Sequence, residues 1–362
     1  MMNKMGFGFL RLPMNEAEPD YEKVCALTDA FLAGGGSFFD TAYTYLDGKS
    51  EEALAKCLTS RYSRERYQLS DKLPGYLAKS WEDNYRLFEE SARRCGVEWF
   101  DLYMLHWLNE KHYAHAEKYR QFDFLKELKA AGKAKRIGFS FHDTPQLLDT
   151  ILTRHPEVDC VLLQINYLDW ESAGVQSRLC YETALRHGKA VLVMEPAKGG
   201  ALANVPEEAA RILGQICPDS SPAHTAIRFA QSLPGVERVL SGMNTLEQLK
   251  ENLRQIEPMN GEELALLEQA AGVIREKTAV GCTGCGYCLS HCPKEIPIPR
   301  IFRLYNEYHL APRHLWKLEP AYTALEASAS CCIGCGTCAH HCPQKLPIPE
   351  TLQKAAEIFE KR

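Results

Sequence analysis

A cysteine run that occurs twice near the end of the chain constrains the fold more than any other feature. The first copy, C-T-G-C-G-Y-C-L-S-H-C-P, starts at Cys282, and the second, C-I-G-C-G-T-C-A-H-H-C-P, starts at Cys332. Both fit C-x2-C-x2-C-x3-C-P, the spacing with which thiolates hold a [4Fe–4S] cluster. Nearly the same text follows each copy, K-E-I-P-I-P and Q-K-L-P-I-P, which indicates a repeated supersecondary unit. The sequence therefore predicts a module with two [4Fe–4S] clusters.

The fourth cysteine of such a run ligates the cluster of the other run. We therefore assign one cluster to Cys282, Cys285, Cys288 and Cys342, and the other to Cys332, Cys335, Cys338 and Cys292. A zinc site usually has two cysteine pairs with a longer gap, and disulfides need an oxidising compartment. Cys331 breaks the spacing and is interpreted as a thiol outside both sites. Six further cysteines are interpreted as small buried hydrophobes: Cys25, Cys57, Cys95, Cys160, Cys180 and Cys217.

Composition limits the classes of function that the chain can have. Its 362 residues suggest two domains, 1–276 and 277–362. A net charge of −5 disfavours a nucleic-acid partner, which requires a basic face. No apolar run approaches the ~20 residues of a membrane span, and the first ten residues lack the apolar core of a signal peptide. These features predict a cytoplasmic protein without a membrane partner, which suits reduced thiolates.

Apolar and aromatic runs alternate with helical patterns up to residue 276. The predicted strands are 6–10, 37–40, 67–72, 100–106, 135–140, 160–166, 189–194 and 238–241. Eight strands that alternate with helices predict a (β/α)8 TIM barrel, here followed by a small α-helical module. A doubly wound sheet is the alternative, although no G-x-G-x-x-G follows the first strand. The segments 299–310 and 351–361 read as helices of the module.

Polar side chains collect where the predicted strands end, which is where TIM barrels place their active sites. Asp40, Lys72 and His106 end three successive strands, and Tyr45 follows the first of these. Each has a structural explanation of its own: a helix cap, a solvated charge or a core histidine. Together, an acid, a base, a phenol and an imidazole on one barrel face indicate an active site. The next segment, 107–122, predicts either an aromatic loop over that site or a solvated helix.

Three motifs resemble signatures of the aldo/keto reductase family: F-D-T-A-Y-T-Y at 39–45, S-D-K-L-P at 70–74 and D-L-Y-M-L-H-W at 101–107. The resemblance covers roughly residues 5–255. The whole chain resembles the branch of that family with a C-terminal ferredoxin-type module. The resemblance implies that Asp40, Tyr45, Lys72 and His106 are the catalytic residues, with Tyr43 the less suitable proton donor.

The chemistry of these four side chains suits reversible hydride transfer between a nicotinamide cofactor and a carbonyl or alcohol. A tyrosine with a pKa near 10 is too weak an acid to protonate a ketone oxygen efficiently near neutrality. A neighbouring ammonium lowers the pKa of a phenol, so we expect Lys72 to lower that of Tyr45. Asp40 would hold Lys72, and His106 would orient or polarise the carbonyl.

The resemblance also implies a site for NAD(H) or NADP(H). It assigns Ser140 and Gln164 to the nicotinamide carboxamide. It assigns Lys198, Gly199 and Gly200 to the pyrophosphate, and Gly242, Met243, Gln248 and Asn252 to the adenosine end. Many members of the family place a lysine and an arginine at the adenosine end for the 2′-phosphate of NADPH. Their absence here predicts no strong preference between the two cofactors.

The clusters and the nicotinamide raise a question of electron transfer, because a cluster passes single electrons whereas a nicotinamide transfers a hydride. A flavin would bridge the two, but no motif requires one. The leading hypothesis is an oxidoreductase whose clusters exchange electrons with a ferredoxin or flavoprotein partner. The alternatives are a carbonyl reductase with structural clusters and a non-catalytic electron-transfer subunit.

Overall fold

The computed structural model describes residues 4–172, 174–310 and 315–360. It forms two compact units. The first contains the residues up to Pro196 together with Ala226–Met259, and the second contains Ala197–Thr225 together with the residues from Asn260 onward. This division differs from the predicted boundary at residue 276, which stays a prediction.

Eight parallel strands close into a barrel in the first unit. They are β1 (Met5–Gly8), β2 (Phe38–Asp40), β3 (Gln68–Leu73), β4 (Phe100–Leu108), β5 (Ala134–Phe141), β6 (Cys160–Gln164), β7 (Ala190–Met194) and β8 (Val236–Ser241). Each strand pairs with its neighbours in sequence, and β8 pairs with β1 through the partners Met5 and Val239. The predicted TIM barrel is confirmed. The doubly wound alternative is wrong because the sheet closes on itself.

Helices separate the strands, and their bounds up to residue 252 are as follows. They are α1 (Tyr21–Ala33), α2 (Lys49–Leu54), α3 (Glu82–Cys95), α4 (Glu110–Lys118), α5 (Gln121–Ala130), α6 (Pro145–Arg154), α7 (Ser177–Arg186), α8 (Glu207–Ile216), α9 (Pro222–Ser232) and α10 (Leu246–Asn252). A two-stranded hairpin, Met14–Asn15 with Glu18–Pro19, precedes α1.

The interior of the barrel is filled by apolar side chains from alternate strand positions. These are Phe38, Leu102, Met104, Cys160, Leu162, Leu192 and Leu240. Because side chains alternate between the two faces of a strand, the next position on the same face as Phe38 is Asp40, and the next after Met104 is His106. The apolar layer therefore lies directly below the predicted catalytic residues.

Two cysteines of the first unit depart from the expectation of separate buried thiols. Cys25 on α1 and Cys57 are joined as a disulfide. No sequence pattern indicates this pairing, because α1 and the π-helical turn Ala55–Thr59 come together only through helix packing. Cys95, Cys160 and Cys180 are buried outside this disulfide, as expected, whereas Cys217 of the second unit is only partly buried.

The second unit is helical. In addition to α8 it contains α11 (Gly261–Lys277), α12 (Ile298–Leu310), α13 (Leu315–Thr323), α14 (Thr337–His340) and α15 (Ile348–Phe359). The two predicted module helices correspond to α12 and α15, which pack against each other. Their core includes Ile301, Phe302 and Leu352, and it also takes in Cys288 and Cys338 from the cysteine runs. Among the helices that the structure describes, none is long and apolar enough to cross a membrane.

Candidate active site and cluster sites

Three of the predicted catalytic residues lie on adjacent strands at the mouth of the barrel. Asp40 ends β2, Lys72 lies near the end of β3, and His106 lies near the end of β4. All three are buried, with 3%, 1% and 4% of their surface exposed. The strand register that aligns Asp40 with Ser70, and Lys72 with Met104, brings them together.

A buried ion pair joins two of these side chains. Lys72 Nζ donates to Asp40 Oδ2 at 2.7 Å and to the Thr41 carbonyl oxygen at 2.6 Å. Ser70 Oγ donates to Asp40 Oδ1 at 2.5 Å, so both carboxylate oxygens have a donor. A buried charge is tolerated only when it is paired and hydrogen-bonded, and both conditions hold here. The ammonium is therefore fixed in one position.

Tyr45 lies against this ion pair. Lys72 Nζ lies 4.8 Å from the centroid of the Tyr45 ring, and the His106 ring meets the Tyr45 ring edge-on at 5.7 Å. The Tyr45 pKa is raised well above its usual value by burial, and further by the charges of Asp40 and Glu195. The net shift of the Tyr45 pKa is therefore upward, and a lowering contribution from Lys72 stays a prediction. Burial and the carboxylates disfavour the phenolate, so the phenol holds its proton.

Tyr43 is held away from this group. Its hydroxyl donates to Glu90 Oε2 at 2.8 Å, and the Arg94 guanidinium lies 4.4 Å from its ring centroid. Both partners are on α3. The geometry thus agrees with the preference for Tyr45 as the proton donor.

His106 is a neutral imidazole. Burial, followed by the charge of Lys72, lowers its pKa well below the usual range. Its Nδ1 atom is buried and has no hydrogen-bond partner in the described chain. A neutral ring with one unused nitrogen is suited to hydrogen bonding with a substrate oxygen.

An aromatic wall lies beside His106, and it includes Tyr76, which the sequence did not single out. The His112 ring of α4 stacks on Tyr76 at 4.8 Å, and the Trp107 ring meets Tyr76 edge-on at 5.9 Å. The Tyr76 ring lies 6.4 Å from that of His106. The segment 107–122 thus contains a helix, α4, with exposed residues such as Lys111 and Ala114, and its His112 packs on an aromatic ring. Tyr76 lies in a short 3-10 turn after β3, and no periodic pattern marks such a position.

The two residues predicted to hold the nicotinamide carboxamide are both buried. The Trp107 backbone N–H donates to Ser140 Oγ at 2.7 Å, and Gln164 Nε2 donates to Asp169 Oδ2 at 3.0 Å. Glu195 follows Met194, which pairs with Gln164, and it has a φ of 56° and a buried Oε2 atom without a hydrogen-bond partner in the described chain. The sequence did not single out Glu195 or Asp169 for a role at the cofactor.

The residues predicted for the adenosine end differ in exposure. Gly242 and Gln248 are exposed, whereas Met243 and Asn252 are buried. Gln248 Oε1 accepts a hydrogen bond from the Asn244 N–H at 2.9 Å. The aliphatic stem of Arg11, a residue that the sequence did not single out, lies beside Gly242: a Cβ atom on this glycine would lie 3.0 Å from Arg11 Cβ. Arg11 also forms an ion pair of 3.3 Å with Glu195. The roles of all four predicted residues remain predictions.

A second group of ionisable side chains lies on the other face of β3. Ligand-type atoms of Glu51, Asp71 and Cys95 lie within 4.8 Å of one another, and all three residues are fully buried. Burial and the charge of Glu51 raise the Asp71 pKa well above its usual value. Arg94 forms a 3.0 Å ion pair with Glu51. The one sequence signal for this group is Asp71, which precedes Lys72 in a strand that is buried on both faces.

The two cysteine runs form two cavities in the second unit. The first cluster site is lined by Cys282, Cys285, Cys288 and Cys342, and the second cluster site by Cys292, Cys332, Cys335 and Cys338. These are the two predicted sets, including the exchange of the fourth cysteine, and ligation itself remains a prediction. Four sulfurs around one cavity fit the thiolate ligands of a [4Fe–4S] cluster. Cys331 is exposed and lines neither cavity.

Glycines make the tight cysteine loops possible. Gly284 and Gly334 occupy equivalent positions, with φ of 66° and 70°. A side chain is strained at such angles, so glycine is needed where each loop turns around its cavity. Burial raises the pKa of Cys282 to about 11 and that of Cys288 to about 12. Thiols of this kind are stabilised as thiolates by a bound metal centre.

The loop predicted for the pyrophosphate belongs to the second unit. Lys198, Gly199 and Gly200 have φ of 49°, 64° and 94°, three successive left-handed residues. Lys198 is 4% exposed, and its Nζ donates to Gln344 Oε1 at 3.3 Å. Its role at a pyrophosphate remains a prediction, and the structure shows its ammonium beside the cysteine module.

Two family models match the chain. The model described as aldo/keto reductase family matches residues 4–271, and the model described as 4Fe-4S dicluster domain matches residues 281–347. The first match covers most of the chain, which therefore belongs to the aldo/keto reductase family. The protein is an oxidoreductase of this family that carries a C-terminal 4Fe-4S dicluster domain.

Individual relatives are more distant. The aldo-keto reductase ausK of Aspergillus calidoustus is 29% identical over 101 residues, which are 24% of this chain and 26% of that protein. The holo form of aldo-keto reductase AKR11C1 from Bacillus halodurans superimposes with a TM-score of 0.61 at 22% identity, over 74% of this chain and 91% of that one. An aldo-keto reductase from Klebsiella pneumoniae in complex with NADPH gives 0.59 at 22% identity, over 74% and 90%. At these identities the solved structures establish the fold alone.

Proposed function

We propose that the barrel catalyses reversible hydride transfer between a nicotinamide cofactor and a carbonyl or alcohol substrate. The observation that carries this proposal is the fixed, buried ammonium of Lys72 against the Tyr45 ring, with the neutral imidazole of His106 on another side of the same ring. A protonated phenol, a nearby cation and an imidazole are what protonation of a carbonyl oxygen requires.

The proposed roles follow from the contacts of each side chain. Tyr45 keeps its proton, because burial raises its pKa, until a substrate oxygen gains negative charge and takes that proton. Lys72 then stabilises the phenolate that remains, and Asp40 keeps Lys72 in place. His106 donates a hydrogen bond to the substrate oxygen or accepts one from the alcohol. The wall of Tyr76, Trp107 and His112 favours a substrate with an apolar or aromatic body.

The side chains near the mouth of the barrel fit a nicotinamide. Ser140 accepts one hydrogen bond from Trp107 and retains its hydroxyl proton for a carboxamide oxygen. The buried Oε2 atom of Glu195 can accept a hydrogen bond from an amide N–H. When bound, the nicotinamide supplies or receives the hydride. Arg11 is a candidate for contact with a cofactor phosphate, in place of the basic pair common in the family.

The test is carbonyl reduction by Tyr45→Phe and Lys72→Met proteins that retain their clusters. With para-nitrobenzaldehyde and either NADPH or NADH, we expect kcat/KM to fall by roughly 10²–10⁴-fold in both variants, the usual contribution of general acid catalysis. Tyr43→Phe is the matched control, because Tyr43 points to Glu90 and should keep the wild-type rate. Wild-type rates in Tyr45→Phe would refute the proposed role.

We further propose that the clusters exchange electrons with an outside protein such as a ferredoxin or a flavoprotein. The exposure of Cys335 in the second cluster site supports this, since electron transfer needs a close approach. The burial of Cys288 and Cys338 in the module core favours a second candidate, in which the clusters only stabilise the fold.

One anaerobic experiment separates these two candidates. Clusters reduced with dithionite and freed of excess reductant are mixed with an oxidised ferredoxin, an oxidised flavodoxin, NAD⁺, NADP⁺ or para-nitrobenzaldehyde, and their absorbance and EPR spectra are followed. Reoxidation by one of these compounds under catalytic conditions supports shared electrons. Unchanged spectra in every mixture would exclude electron exchange and favour clusters that only stabilise the fold.

A further inference from the structure

Lys198 is a buried cation that lies near residues next to both ends of the first cluster site. Its Nζ atom donates to Gln344 Oε1 at 3.3 Å, and Gln344 lies two residues after the ligand candidate Cys342. A Cβ atom built on Gly281, the residue before Cys282, would lie 3.9 Å from the same Nζ. The ammonium therefore lies beside the first and the last cysteine of one site.

The backbone of Lys198 is conformationally strained. A non-glycine residue at a φ of 49° is in a sparsely populated region, and strain of this kind persists only where the surroundings enforce it. The side chain is 4% exposed, so water screens its charge poorly. A long, flexible lysine that could have reached solvent is instead directed toward the cysteine loops.

The second cluster site is more exposed. Its Cys335 is exposed, and Ile333, within the same loop, is 62% exposed. At the position equivalent to Gln344 the first repeat has Lys294, which lines the second cluster site but is exposed, so water screens its charge. Lys345, which follows Gln344, is exposed as well. The two sites share a sequence motif and differ in their electrostatic surroundings.

We propose that Lys198 raises the reduction potential of the cluster in the first site above that of the cluster in the second site. A one-electron reduction adds one negative charge to a cluster, and a cation held away from water stabilises that charge. An electron from an external one-electron donor would then enter at the exposed second site and come to rest at the first. This inference rests on the proposed ligand sets.

The test is an EPR-monitored redox titration of the full chain with both clusters present. In Lys198→Met, one of the two reduction steps should move by about tenfold in its equilibrium constant, which is about 59 mV for one electron, toward lower potential. The other step should stay in place. Gln344→Glu, which sets a carboxylate beside an intact Lys198, should move the same step in the same direction and also covers the case in which Lys198→Met fails to fold.

Two controls define the result. Lys198→Arg keeps the charge and should titrate like the wild type, and Lys345→Gln removes an exposed charge near the same ligand and should also change little. In a Cys335→Ala background, which alters only the second site, the shift caused by Lys198→Met should persist. If both steps move equally, or if neither moves, the inference is overturned. Fewer than about eight iron atoms per chain would instead contradict the ligand sets on which it rests.

Discussion

Replacing Asp40 with asparagine removes the negative charge from the buried ion pair and keeps the shape of the side chain. The pair has an N···O distance of 2.7 Å, and the two side chains are 1% and 5% exposed. Removing one partner of such a pair leaves an uncompensated buried charge, which costs about 3–5 kcal/mol. For a unit of this size that loss lowers the unfolding temperature by roughly 10 °C.

The assay is anaerobic calorimetry of the cluster-containing protein as a double-mutant cycle. Asp40→Asn and Lys72→Met should each destabilise the barrel by about 3–5 kcal/mol, because each leaves one charge alone. The double variant has neither charge and should be less destabilised than the sum of the two by about 3 kcal/mol.

An exposed pair of the same type is the control. Lys126 and Asp123 on α5 are 2.8 Å apart, but their side chains are 49% and 38% exposed. Asp123→Asn should therefore cost less than about 1 kcal/mol. If the Asp40 and Lys72 substitutions are additive within about 0.5 kcal/mol, the ion pair does not organise the site and the reasoning is refuted.

Three further predictions concern protonation and ligation. Burial lowers the pKa of His142 to about 4, below the unfolded value of about 6.5, so stability should fall as pH drops below about 6.5, by at most ~1.4 kcal/mol per unit; thermal scans of His142→Gln should show a flatter profile. The Asp71 pKa is raised, so the contribution of its protonated carboxyl group to folding stability is lost as pH rises, and Asp71→Asn should be neutral or stabilising near pH 8. Glu51→Gln should destabilise the protein, because it removes the ion-pair partner of Arg94. Cys342→Ser should lower the iron content to about half, and Cys331→Ser should leave it unchanged.

The sequence pattern alone was sufficient to predict features that depend on the spacing of residues along the chain. The cysteine spacing predicted two groups of four, and the same two groups surround the two cavities. The alternation of strands and helices predicted the closed barrel. Because parallel strands end at one face, the sequence also predicted that Asp40, Lys72 and His106 would lie together. These inferences depend on periodicity and on chain connectivity, both of which a sequence displays.

No sequence pattern predicted the contacts between residues that lie far apart in the chain. The stacking of His112 on Tyr76, the Arg11–Glu195 ion pair and the disulfide at Cys25 arise from the way helices and turns pack on the barrel. No motif specifies these contacts, because many sequences would satisfy the same packing.

The sequence by itself determined which chemical groups the protein has, namely two sets of cluster thiols and a phenol, ammonium and imidazole at the end of a barrel. Only the tertiary structure decided the protonation states of these groups and the positions of the charges around them. The Tyr45 pKa is raised because burial and nearby carboxylates disfavour the phenolate, an effect that depends on distances. The Lys198 ammonium lies beside Gln344 because the left-handed backbone and the module together place it there. Electrostatic energy depends on separation and on exclusion of water, and both are properties of the fold.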